Sequence, residues 1–167
     1  MVRLALVLIP LIGVLIAARP ASQQSPPPDG AIEEDRPLSP FDADDVAIAR
    51  LDPALRSAVQ RAARDARRDG ISVRITSGWR SRSYQRELLD EAIVTYGSEA
   101  VARRYVATPE TSEHVTGDAV DVGPTDAAYW MIQHGARYGL CQTYANEVWH
   151  FERVVGACPT PRPDASR

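Results

Sequence analysis

Ser112-Glu113-His114-Val115-Thr116-Gly117-Asp118-Ala119-Val120-Asp121 is the stretch on which the chain turns, together with Glu147-Val148-Trp149-His150. The first run steps from a loop into the short strand Ala119-Val120-Asp121-Val122, and the second lies beside a strand expected over Val148 to Val155. Between them they offer two imidazoles and one carboxylate, with a further carboxylate three residues before His150. Two His and one Asp are a donor set suited to zinc with a position left open. A nearby uncoordinated Glu is suited to handling the proton of a water at such a centre. Each residue also has a plainer reading. His114 and Asp121, seven apart across a loop with Gly117 between them, can be a hydrogen-bonded pair. His150, between Trp149 and Phe151, can be a core histidine. Glu147 and His150 would face opposite sides of a regular strand, so Glu147 is expected in a turn or beside a bulge. His134 has no carboxylate near it in sequence and reads as a surface residue of a last helical turn.

Working outward, the strands sit among helices. Asp52-Pro53 caps and starts a helix whose Leu55, Val59, Ala62, Ala63 and Ala66 fall on one face, ending at Gly70. Arg56, Arg61, Arg64, Arg67 and Arg68 take the other face, which we read as solvated rather than as a polyanion patch. Ile71 to Thr76 alternates and is β-branched, hence a strand, and Ser77-Gly78-Trp79-Arg80-Ser81 turns the chain. A second helix runs from about Ser83 to Tyr96, with Tyr84, Leu88, Leu89, Ala92, Ile93 and Tyr96 inward, and Gly97 stops it. A third short helix is expected over Ser98 to Val106 with Val101 and Tyr105 inward, and Pro109 to Asp118 as loop. Gly123-Pro124 breaks the next strand, Thr125 caps a fourth helix reaching about Arg137, and Gly139 ends it. Cys141 to Tyr144 and Val148 to Val155 are two strands joined at Ala145-Asn146. Helices flanking a small, mostly antiparallel sheet give an α+β class.

The ends read differently. Met1 to Ala18 carries Arg3 and then an uncharged apolar run from Leu4, too short for the ~20 residues of a bilayer span and suited to a signal sequence. Cleavage positions are poor: Ile16 precedes Ala18 and Arg19 precedes Ala21 at the second position back. A retained N-terminal anchor therefore stands beside removal, and either way the remainder is exported. Arg19 to Pro40, rich in Pro, Ser, Gln and acidic residues, reads as linker. The expected organisation is a signal or anchor over 1–21, a linker over 22–45, one folded domain over 46–160 and a loose Pro-rich tail over 161–167. A formal charge of -3 and 44% hydrophobic residues describe an ordinary globular chain with no bulk attraction to nucleic acid. Cys141 and Cys158 in an exported chain read as a disulfide, worth roughly 3 kcal/mol by loop closure. Metal ligation by cysteines so far apart, with no CxxC, is the rival reading that we set aside.

Arg80, after a glycine in a tight turn, can grip a carboxylate or oxyanion in a forked geometry, or it can be a surface ion pair; Arg82 reads as plain surface. The combined pattern is more specific. Ser77-Gly78-Trp79-Arg80-Ser81, then Gln85, then Ser112-x-His114-x-x-Gly117-x-Ala119-x-Asp121, then Glu147-x-Trp149-His150 resembles the VanY-type zinc D-alanyl-D-alanine carboxypeptidases. These are relatives of the D-Ala-D-Ala dipeptidases and of the LD-carboxypeptidases of peptidoglycan. The resemblance spans roughly Leu51 to Cys158. It implies a small α+β scaffold, shared with the Hedgehog signalling domain, with zinc on the central antiparallel sheet. It implies His114, Asp121 and His150 as zinc ligands and Glu147 as catalytic base and acid. Arg80 matches the arginine that steadies substrate or tetrahedral intermediate, and Gln85 and Ser112 match contacts to the substrate's terminal residue. Val148 departs from the Trp or Pro of many relatives, and Asp118 is given no role. The implied activity is removal of the C-terminal D-Ala from peptidoglycan stem peptides by a monomer outside the membrane. LD-carboxypeptidase or endopeptidase action, and a non-catalytic zinc domain that binds wall peptide or a partner, are the competing expectations.

Overall fold

The computed structural model describes residues 27–166. The apolar segment read as signal or anchor lies outside them. Helices are α1 (Val46–Ala49), α2 (Pro53–Arg68), α3 (Arg82–Tyr96), α4 (Glu99–Ala102), α5 (Glu113–Thr116) and α6 (Thr125–His134), with a 3₁₀ turn at Gly135–Tyr138. Strands are β1 (Arg74–Ser77), β2 (Ala119–Gly123), β3 (Leu140–Gln142) and β4 (His150–Arg153). They form one sheet of order β1-β2-β4-β3, antiparallel throughout, so the α+β expectation holds.

The sheet's two faces are set by the two-residue period of a strand. Val120, Val122 and Phe151 point into the main core with Leu55, Val59 and Ala62 of α2 and Trp130 and Met131 of α6. Asp121, His150 and Glu152 alternate with them and face the opposite side, where Asp121 and His150 line a cleft with Gln85 of α3 and His114 of α5. The Asp52 carboxylate caps α2 through the amides of Ala54 and Leu55, with Pro53 at the first helical position. The arginines opposite make short-range or exposed contacts, such as Arg61 to Ser57, as a solvated face should.

Several local expectations shift. The first strand begins at Arg74 rather than Ile71, and β3 and β4 are shorter than expected. Thr125 is the first residue of α6 and not its cap, which falls at Pro124. The helix itself gives way to the 3₁₀ turn after His134. The third helix closes after Ala102, which is fully buried against Leu89 and Ala92, while Val101 and Tyr105 are exposed. A small side chain allows the closest approach of α4 to α3, so the helix turns alanine inward. Gln85, not Tyr84, is the buried residue of the first turns of α3.

Part of the presumed linker is packed. Leu38 and Ile75 exchange backbone hydrogen bonds of 2.9 and 2.8 Å, covering the open edge of β1, and Ile32 and Leu38 lie against the core. The tail is also held. Cys141 and Cys158 are joined by a disulfide with Cα atoms 5.5 Å apart, and Arg162 pairs with Tyr144 in a parallel bridge. Pro-rich composition argues against a self-sufficient core; here both segments borrow the domain's surface. Among the described residues no helix is long and apolar enough to cross a membrane.

Candidate metal centre

Three elements deliver the site. Asp121 on β2 and His150 on β4 are direct cross-strand partners, so the backbone ladder sets their spacing. His114 sits in α5, a single turn that ends at Gly117 with φ +84°. A Cβ at Gly117 would lie 2.4 Å from the Arg50 carbonyl oxygen, so only glycine lets the α5 loop close onto the start of α2. Glu147 lies in the turn before β4, as expected from the strand's phase. The His150 amide donates to the Glu147 carbonyl at 3.2 Å, which puts both side chains on the same side.

Hydrogen bonds decide which ring nitrogens face the centre. His114 Nδ1 is 2.8 Å from the Gly78 carbonyl oxygen. A carbonyl only accepts, so Nδ1 carries the hydrogen and Nε2 presents a lone pair. His150 Nε2 is 3.1 Å from Glu152 Oε1 and donates to it, so His150 turns Nδ1 inward. The two inward nitrogens lie 3.2 Å apart. Asp121 Oδ1 is 3.1 Å from His150 Nδ1 and 3.4 Å from His114 Nε2. Two lone pairs and a carboxylate oxygen converging this closely repel one another unless a proton or cation sits among them. Among the described residues these three are the group able to hold a metal, with donor atoms all within 4.8 Å of one another, and all three side chains are buried. The donor set, two nitrogens and one oxygen with an open side, fits zinc.

Charge follows the geometry. Burial, then the Arg80 guanidinium, lowers the His114 pKa, keeping the ring neutral. Burial pushes Asp121 up, but the two imidazoles outweigh it and hold its carboxyl well below the usual range. Burial also pulls His150 down, yet hydrogen bonds to Asp121 and Glu152 prevail and raise it to about 9. Without a metal, then, a proton on His150 supplies the positive charge that the cluster requires.

Glu147 stands apart. Its Oε2 is 3.8 Å from His150 Nδ1, and its Oε1 is buried with no hydrogen-bond partner. Burial raises its pKa to about 7 despite the nearby His150. A buried carboxyl oxygen without a partner is costly, and such groups concentrate where a ligand or reaction uses them.

Arg80 is not a surface ion pair. It is largely buried and donates from Nε to Ser77 Oγ at 2.7 Å, from Nη1 to Gln85 Oε1 at 3.0 Å and from Nη2 to Asp121 Oδ2 at 3.0 Å. A guanidinium has five N–H groups, so two remain for a ligand. Gln85 is 1% exposed and donates from Nε2 to the Ala107 carbonyl, so it braces Arg80 from behind. Ser112 precedes α5 but makes no side-chain cap bond, and it lines the cleft. Arg82 is exposed and pairs with Glu110, as plain surface. The His134 ring lies 4.7 Å from that of Trp130 at a tilt of 57° and takes no part in the cleft lining. The cleft encloses about 230 Å³ and is walled by Arg80, Gln85, Ser112, His114, Asp121, Glu147 and His150, with Leu88, Tyr105, Val106, Tyr144, Trp149 and Ala165 among its apolar lining.

Residues 48–155 match the family model described as VanY, D-alanyl-D-alanine carboxypeptidase. The chain belongs to the VanY family. It is 31% identical over 116 residues to the D-alanyl-D-alanine carboxypeptidase of Enterococcus faecalis, across 54% of this chain and 43% of that protein. The chain thus spans less than half the length of that curated relative. Among solved structures it is similar to a zinc-bound variant of the vancomycin-resistance D,D-pentapeptidase VanY of the VanB-type cassette. That match has a TM-score of 0.59 and 28% identity over 63% of this chain and 73% of the other. VanYB in complex with D-alanine-D-alanine gives a TM-score of 0.60 and 27% identity over 63% and 72% of the two chains.

Two features of this VanY-family site escape a reading of residue types. Glu152 fixes the His150 tautomer and itself accepts from Thr143 Oγ1 at 2.9 Å. It lies two residues after His150, the spacing that puts both on one strand face, so the signal was in the sequence. Ala165, in the tail, had no signal of its own.

Proposed function

We propose that the chain is a zinc-dependent D-alanyl-D-alanine carboxypeptidase that removes the C-terminal D-Ala of peptidoglycan stem peptides. The carrying observation is that His114 Nε2, His150 Nδ1 and the Asp121 carboxylate converge while Glu147 stands beside them with its buried Oε1 lacking a hydrogen-bond partner. His114, Asp121 and His150 would hold the zinc. When bound, the ion supplies Lewis acidity, polarising a carbonyl and acidifying water.

The chain's own groups do the rest. With a pKa near 7, Glu147 can take a proton from the attacking water and return it to the leaving amine at neutral pH. Arg80 keeps two free N–H donors at the cleft wall for the substrate's carboxylate or the developing oxyanion. Gln85 and Ser77 keep that guanidinium from swinging away. Ser112 offers a hydroxyl to the terminal residue. A non-catalytic binder has no need of a carboxyl group held near neutral pKa at its metal. The substrate implies work outside the membrane, reached through the N-terminal apolar segment, and we take the working form to be a monomer.

The test is zinc-loaded protein incubated with defined tri-, tetra- and pentapeptide stems, followed by mass spectrometry. Loss of one D-Ala from the pentapeptide supports the assignment. Cleavage of the tetrapeptide instead would make it an LD-carboxypeptidase, internal cuts would make it an endopeptidase, and intact peptides in every case would refute it.

A further inference from the structure

Beyond β4 the chain does not leave the domain. The disulfide ties Cys158 to β3. The Arg162 amide then donates to the Thr143 carbonyl at 2.9 Å, and the Ala145 amide donates to the Arg162 carbonyl at 2.7 Å. The Arg162 guanidinium lies 4.8 Å from the centre of the Tyr144 ring, whose centre is 4.9 Å from that of His150. Farther on, Asp164 pairs with Arg104 Nε at 2.9 Å, and Ala165 reaches the Arg104 carbonyl. Residues 159–166 therefore bridge the turn that bears Glu147 and the segment that follows α4. Of these residues only Ala165 is buried, at 6% exposure, and its surroundings include the substrate cleft. Pro159, Pro161 and Pro163 limit the freedom of the unattached strap, which lowers the entropy lost on docking. The strap lies wholly outside the family match, which stops at residue 155.

We propose that residues 159–166 are a specificity strap, with Ala165 forming part of the apolar wall of the cleft so that only a terminal residue with a methyl-sized side chain fits. Arg80 gives the cleft lining a cation, and Leu88, Tyr105, Val106 and Ala165 give it apolar surface. That pairing suits a peptide ending in a small D-residue with a free carboxylate. The ligand chemistry rests on the functional reading above; the wall itself does not. A pocket closed by one methyl rejects added methylenes by about tenfold or more each.

The test compares acetyl-L-Lys-D-Ala-D-Ala with the same peptide ending in D-Leu, on zinc-loaded full-length protein, by calorimetric binding and by hydrolysis. The parent should bind the D-Ala peptide at least about tenfold better. Deleting residues 159–167 should shrink that preference by about tenfold through tighter binding of the D-Leu peptide. Ala165→Leu, with an unchanged melting temperature, should weaken the D-Ala peptide at least about fivefold, and it decides the matter if the deletion does not fold. Equal binding of the two peptides by the parent, or affinities within about twofold of the parent in Ala165→Leu, overturns the strap. A parent that binds with this preference yet cleaves neither peptide refutes the hydrolase reading and leaves the strap standing.

Discussion

Glu147→Gln should make the metal-free protein more stable and the zinc-loaded protein nearly inactive. Burial lifts the Glu147 pKa from 4.5 to about 7, so the folded state holds this proton more tightly than the unfolded chain does. A raised carboxyl pKa contributes stability that is complete below pH 4.5 and lost as pH rises through about 7. The difference is worth at most about 3 kcal/mol above that range. Glutamine keeps the shape and never ionises. Its amide meets the same partnerless spot as Oε1, which takes back part of the gain. The expected net is about 1–2 kcal/mol in favour of the variant at pH 8 and no gain at pH 4.5. Urea unfolding of parent and variant in chelator at the two pH values measures this directly. In parallel, kcat on a D-Ala-ended peptide should fall about 10²–10⁴-fold with zinc content unchanged. A variant with no pH-dependent gain would show that Glu147 is not held near neutrality by burial. Parental turnover would show that it is not the base.

Three further outcomes are expected. Apparent zinc affinity, measured by competition with a chromophoric chelator, should rise with pH until about 9, because the metal must displace the proton that Asp121 and Glu152 hold on His150; a flat profile from pH 7 to 9 would contradict this. Glu152→Gln, which trades a carboxylate acceptor at His150 Nε2 for an amide, should weaken zinc by about 10–100-fold while circular dichroism stays the same. Gly117→Ala should cost more than about 2 kcal/mol in thermal or urea unfolding, since its φ of +84° and the Arg50 carbonyl oxygen 2.4 Å from the added Cβ leave no room; a loss below about 0.5 kcal/mol would show that the α5 loop adapts.

The parts of the molecule legible from residues alone were those where chemistry and period agree. Asp121 lies between Val120 and Val122, so one strand face is apolar and the other carries a donor. The capping Asp52-Pro53 and the alanine-rich face of α2 are equally local signals. What escaped was set by distant partners. The turn of α5 spans only Glu113–Thr116, too short for periodicity to register. Val101 and Tyr105 were expected inward on hydrophobicity, but the close contact with α3 selects Ala102. Arg80 looked like a candidate surface pair because nothing in its neighbourhood announces Asp121, forty-one positions later, as its acceptor. The tail's composition forecasts looseness, and the cystine, the Tyr144 bridge and the contacts to Arg104 reverse that.

Asp121 and His150 occupy facing rungs of the β2–β4 ladder. A slip of that pairing by one residue would send one of the two donors to the core side packed by α2 and α6 and bring valine or phenylalanine to the cation. Stoichiometric metal uptake is therefore a proofreading signal for strand alignment: a preparation that is soluble and rich in secondary structure but will not load zinc has paired its central strands out of step.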